Sequence, residues 1–73
     1  MRLSELRYGQ SAKIRDIMGQ DALSIRLIDL GFLPPARVIK TFSAPGGDPI
    51  AVRLRGYTLS LRREEADRVE VEL

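Results

Sequence analysis

Cysteine, histidine and tryptophan are absent from this sequence of 73 residues, which holds only two tyrosines and two phenylalanines. Those absences remove whole classes of chemistry. Without cysteine there is no disulfide and no thiol nucleophile, and without histidine there is no imidazole base. Zinc fingers and soft or borderline metal sites draw on the same two residue types. The serines at 4, 11, 24, 43 and 60 have no evident activating partner. An enzyme is therefore the least expected class, and no cofactor is expected.

Long apolar runs are missing as well. No stretch approaches the ~20 residues that span a bilayer, and the opening MRLSELRYGQ lacks the apolar core of a signal peptide. The expectation is a cytosolic chain with no direct membrane insertion. Strong charge of one sign is also lacking: 12 basic against 10 acidic residues leave a net +2, too balanced to argue for nucleic acid on bulk electrostatics. Small barrels that bind single strands use aromatic platforms. Phe32 and Phe42 are expected in the core, which leaves only Tyr8 and Tyr57. No nucleic-acid partner is expected.

What is present is an ordinary soluble composition, 44% apolar and 30% charged, in one domain over residues 1–73 near the lower size limit for a self-supporting core. The pattern changes period several times. In LSEL, Ser4 is a candidate N-cap, and Leu3 and Leu6 stand one helical turn apart. SAKIRDIM alternates as a strand until the beat breaks near Asp16, where a bulge or the strand end is expected. DALSIRLIDLGF is the one clear helix, with Asp21 as N-cap, Gly31 at C′ and Phe32 folding back on Leu27. ARVIKTFS reads as a second strand, APGGDP as a loop, RREEADR as a short turn and VEVEL as a closing strand. About five short strands with turn signals between them, plus one helix, suggest a small barrel.

The densest pattern is GDPIAVRLRGYTLSLRREEA, residues 47 to 66. A hairpin with Gly56-Tyr57 as a type II′ loop sets Leu54 against Leu59 and Val52 against Leu61. Apolar then meets apolar and polar meets polar across the ladder. Arg53, Arg55 and Arg62 would share one solvent face, either a solvated surface or a docking ridge for an acidic partner. On the helix, Leu23, Leu27 and Leu30 form the core stripe, whereas Ile25 and Ile28 fall to another side. Unless a loop such as 43–48 covers them, these isoleucines with Arg26 offer a partner contact. Glu64, Glu65 and Asp67 cluster, but a favourable helix dipole and the flanking Arg62, Arg63 and Arg68 explain them more simply than a cation does.

ALSIRLIDLGFLPPARV followed by GDPIAVRLRGYTLSLRREEADRVEV, with the opening LSEL and GQ, resembles the FeoA family, the small cytosolic component of bacterial ferrous iron transport. The resemblance covers essentially the whole chain. It implies a mainly β, small SH3-like β-barrel of about five strands with one inserted short helix. It also implies a non-enzymatic accessory that docks on FeoB, a membrane permease with a cytosolic G-protein domain, and supports or regulates its GTP-linked transport. A related domain ends some iron- and manganese-dependent repressors, so a metal-responsive regulatory domain is the alternative, beside a small nucleic-acid-binding barrel. Ile25 stands where the family usually carries a polar or basic residue. That widens the apolar helix face and raises weak self-association as a second expectation. The candidate partner-binding residues are Ile25, Arg26, Ile28, Arg53, Arg55 and Arg62; no catalytic, cofactor or metal residues are expected.

Overall fold

A computed structural model describes all of residues 1–73. After a 3₁₀ turn at Leu3–Glu5, the elements are β1 (Ser11–Ile17), α1 (Ala22–Asp29), β2 (Arg37–Ser43), β3 (Ile50–Leu54), β4 (Tyr57–Leu61), α2 (Arg63–Ala66) and β5 (Val69–Glu72), with a second 3₁₀ turn at Pro45–Gly47. The strands form one five-stranded antiparallel sheet in the order β4-β3-β2-β1-β5. The fold is mainly β with an inserted helix between β1 and β2, as expected. The RREEADR segment is more than a turn, since it makes the single helical turn α2.

The sheet does not close by strand pairing, and its two ends are treated differently. Beside β5, the Val71 N–H donates to the Met1 carbonyl at 2.7 Å and the Met1 ammonium donates to the Val71 carbonyl at 3.0 Å. Arg2 also bridges Glu70, so the chain start covers that edge. Nothing pairs with the outer edge of β4.

The inner face and α1 enclose the core: Ile14, Leu27, Phe32, Val38, Val52, Leu54, Leu61, Val69 and Val71 are all buried. Leu3 and Leu6 are buried as their spacing suggests, but Ser4 is not the cap. The Arg2 N–H is instead taken by the Glu5 carboxylate at 2.7 Å, and the Ser4 hydroxyl donates to Asp67. Leu23, Leu30 and Leu59 lie half-buried at the rim of the core rather than within it.

Two bulges set which residues face inward. In β1 the register shifts between Ile14 and Asp16, as anticipated, and this brings Ile17 opposite Val69. In β2 it shifts between Lys40 and Phe42. Without the extra residue, Phe42 would face Ile50 inside; with it, Phe42 pairs with Ala51 on the outer face and is 56% exposed. The expectation that Phe42 is core is therefore corrected. Ser43 takes the place opposite Ile50, and Lys40, opposite Val52 before the bulge, donates its ammonium to the Leu6 carbonyl at 2.8 Å.

The β3–β4 hairpin is also re-registered. Its loop is Arg55-Gly56, not Gly56-Tyr57, with positive φ at both residues, 52° and 86°. Both central residues of a type I′ loop need that sign. Val52 therefore pairs with Leu59, Ile50 with Leu61, Leu54 with Tyr57 and Ala51 with Ser60. The ladder has moved by two residues, which keeps the strand side chains on their expected faces, whereas Arg55 leaves the outer face for the loop.

Candidate functional site

A helix of eight residues is marginal in isolation, so α1 holds its place through its ends. At the start, the Asp21 carboxylate accepts the Ser24 N–H at 3.2 Å and the Ser24 hydroxyl at 2.9 Å. Arg68, just before β5, grips the same carboxylate with two nitrogens at 2.8 and 2.9 Å. These bonds, the one from Arg68 foremost and those from Ser24 next, hold the Asp21 carboxyl well below the usual carboxylate range. The Arg68 guanidinium is shifted upward in return, chiefly by its bond to Asp21.

The C-terminus closes as a Schellman motif. Gly31 has φ 107°, the Phe32 N–H donates to the Leu27 carbonyl at 3.2 Å, and the Gly31 N–H donates to the Ile28 carbonyl at 2.9 Å. Phe32 and Leu27 are both buried. The hairpin tip packs on this end. The Tyr57 hydroxyl donates to the Leu30 carbonyl at 2.7 Å, and the Arg55 side chain lies along Gly31, where a cation suits the negative end of the helix dipole.

So clamped, α1 presents its outward side. Ile25 is 57% exposed and Ile28 38%, so the 43–48 loop does not cover them. Ala22, Ile25, Arg26, Asp29 and Leu30 line a shallow open groove along this side. Arg26 stands beside Ile25 but is engaged, with Nη1 3.1 Å from the buried Glu65 carboxylate. The other oxygen of Glu65 accepts the Arg62 N–H at 2.8 Å. Glu65 thus ties α1 to the start of α2.

The three arginines of the hairpin region are not gathered into one ridge. Arg53 points outward from β3, opposite Thr58, and donates to the Gly56 carbonyl at 3.3 Å. Arg55 sits in the loop against Gly31, on the core side, and Arg62 lies past the far end of β4 at 3.5 Å from Asp48. Arg53 instead shares the outer sheet face with Ile39 and Phe42, both exposed. That mixed patch escaped the sequence reading because the bulge that turns Phe42 outward leaves no compositional mark. No group of three or more acidic side chains converges in a way that could hold a metal ion; Glu65 and Asp67 are bonded within the protein.

Comparison with known proteins gives the following. The FeoA domain model matches residues 1–73. A Porphyromonas gingivalis protein named Fe(2+) transport protein A/Fe(2+) transporter FeoB fusion protein is 40% identical over 73 residues, covering 100% of this chain. The chain spans only 9% of that protein's length. Among solved structures, a FeoA-like protein from Clostridium acetobutylicum matches with a TM-score of 0.92 and 36% identity, over 100% of this chain and 85% of that one. FeoA of Stenotrophomonas maltophilia, solved with zinc and described as an SH3 domain protein, matches with a TM-score of 0.88 and 36% identity, over 99% and 89% of the two chains. The fold described above is thus SH3-like. No helix is long and apolar enough to cross a membrane.

Proposed function

The chain belongs to the FeoA domain family, and on that footing we propose that it is a cytosolic accessory of ferrous iron uptake that docks on a FeoB-type permease and regulates its GTP-linked transport. The observation that carries this reading is the Porphyromonas gingivalis relative, whose name joins the two components in one polypeptide. Tethering raises effective concentration without new contacts. A fusion is therefore the arrangement expected of two parts that meet with modest affinity.

The face we assign to docking is the outward side of α1, with Ile25 and Ile28 as apolar contacts and Arg26 at its margin. A small domain gains by hiding isoleucines, yet here both stay in solvent, with Ile25 lining a groove, as an interface core does before its partner arrives. The exposed patch of Ile39, Phe42 and Arg53 on the outer sheet face is a second contact of the same kind. The action is protein–protein docking without catalysis. Docking changes a GTPase cycle only if one nucleotide state is bound better than another. The test is the affinity of the chain for the isolated G-protein domain of the permease, loaded with GDP or with a GTP analogue. Equal affinity for both loaded forms would sink the regulatory half of the proposal.

A further inference from the structure

We infer that the outer edge of β4 is a binding site for an extended segment with alternating apolar and acidic residues, taken up as a sixth strand of the sheet. The inference is independent of which face meets the permease. Of the two ends of the sheet, only that of β5 is covered, by Met1 and Arg2. In the two-residue hairpin, Leu54 and Tyr57 flank the loop, and every second pair from there, Val52 with Leu59 and Ile50 with Leu61, exchanges main-chain bonds. The N–H and C=O groups of Thr58 and Ser60 therefore point away from β3, and they enter no loop or side-chain hydrogen bond. Both residues are exposed. This is the template that strand addition uses, with main-chain bonds for affinity and alternate side chains for selection.

The surroundings specify the occupant. On the inner side of the edge, Leu59 is half-buried and Tyr57 is 43% exposed, so an incoming strand meets apolar surface there. α1 stands on the same side, reached by the Tyr57 hydroxyl at Leu30 and by the Arg26–Glu65 pair. On the outer side the neighbours of the edge are Thr58, Ser60 and, one strand further in, Arg53. Arg53 and Arg55 enter no ion pair, and Arg62 has only Asp48, at 3.5 Å. Arg53 and Arg55 thus stand beside the edge with no carboxylate bound to them, and Arg62 stands at its far end with only a 3.5 Å partner, so an acidic strand is complementary and a basic one is repelled. A second copy is disfavoured for the same reason: antiparallel pairing of two β4 edges about Leu59 brings Arg55 of each copy near Arg63 of the other.

The probe is the blocked hexapeptide Glu-Val-Glu-Val-Glu-Leu, titrated into the intact protein while amide exchange is followed residue by residue. Its lysine-for-glutamate counterpart and a version N-methylated at alternate residues serve as controls that require no change in the protein. The expected result is exchange at least tenfold slower at Thr58 and Ser60 with the acidic peptide alone. Ser60→Pro, which removes an outward N–H at an edge where proline is tolerated, should keep the native spectrum and lose the response. Unchanged Thr58 and Ser60 amides, or equal binding of the N-methylated or lysine peptide, would overturn the inference. Concentration-dependent protection of the same amides without peptide would assign the edge to a second copy instead.

Discussion

Replacing Ile25 and Ile28 together by alanine tests docking on a protein that should stay folded, because both side chains lie outside the buried core cluster. A fully buried isoleucine side chain contributes roughly 1.5–3 kcal/mol. With 57% of Ile25 and 38% of Ile28 still in solvent, a partner that covers both gains about 1.4–2.8 kcal/mol from them. That corresponds to a loss of about 10- to 100-fold in affinity for the permease when both are truncated. The domain itself also loses some stability, because the covered part of the two side chains, under half of Ile25 and over half of Ile28, is worth about 1.6–3.2 kcal/mol on the same scale. Alanine is the better helix former by a few tenths of a kcal/mol at each place, and the buried Leu27 and Phe32 are untouched. Thermal unfolding of the double variant should therefore stay cooperative and fall roughly 5–15 °C below the parent. The assay is calorimetric titration against the G-protein domain of the permease, beside a melting curve. An unchanged affinity would refute the assignment of this helix face. A melting temperature lower by more than ~20 °C would refute the claim that these side chains lie outside the core.

Further outcomes follow from other parts of the molecule. Phe32→Ala, at a fully buried position, should cost about 3–5 kcal/mol and lower the melting temperature by more than ~12 °C. Glu65→Ala leaves the Arg62 N–H without its acceptor and releases Arg26. It should cost about 1–3 kcal/mol, and Glu65→Gln, which keeps an acceptor oxygen, should cost less in the same melting assay. Asp21 has a folded-state pKa below its unfolded value of about 3.9, so below roughly pH 4 the unfolded chain binds more protons than the folded one. Its contribution is present above that pH and is lost as the pH falls. Asp21→Asn should flatten the acid side of the stability curve, most clearly at low ionic strength, because the pair with Arg68 is exposed to salt.

The sequence reveals the inserted helix in detail because its signals are local: Asp21 before it, Gly31 and Phe32 after it, and leucines on the buried side. The closing VEVEL strand is legible for the same reason, as its alternation maps directly onto burial. What eludes the sequence depends on partners far along the chain. Arg68, which grips Asp21 from 47 residues away, leaves no local mark. The bulge at Thr41 is decided by how β2 meets β3, and it alone carries Phe42 from the inside to the outside. The hairpin loop shows a subtler limit. Binary pattern fixes the face of each residue but not a shift by two, and only the positive φ taken up by Arg55 selects the observed register. Of the candidate site, Ile25, Ile28 and Arg26 are all exposed on α1, with Ile25 and Arg26 lining the groove and Ile28 on the other flank of Ile25. The arginines at 53, 55 and 62 diverge, because the loop turns Arg55 toward Gly31 and Arg62 serves as the N-cap of α2.

The central claim is tested most directly by titrating this chain against the cytosolic G-protein domain of a FeoB-type permease at low and at high salt. Docking through the α1 isoleucines predicts saturable one-to-one binding that survives high salt and is weakened by the Ile25→Ala, Ile28→Ala pair. No binding at either salt concentration, with both proteins folded, would contradict the account.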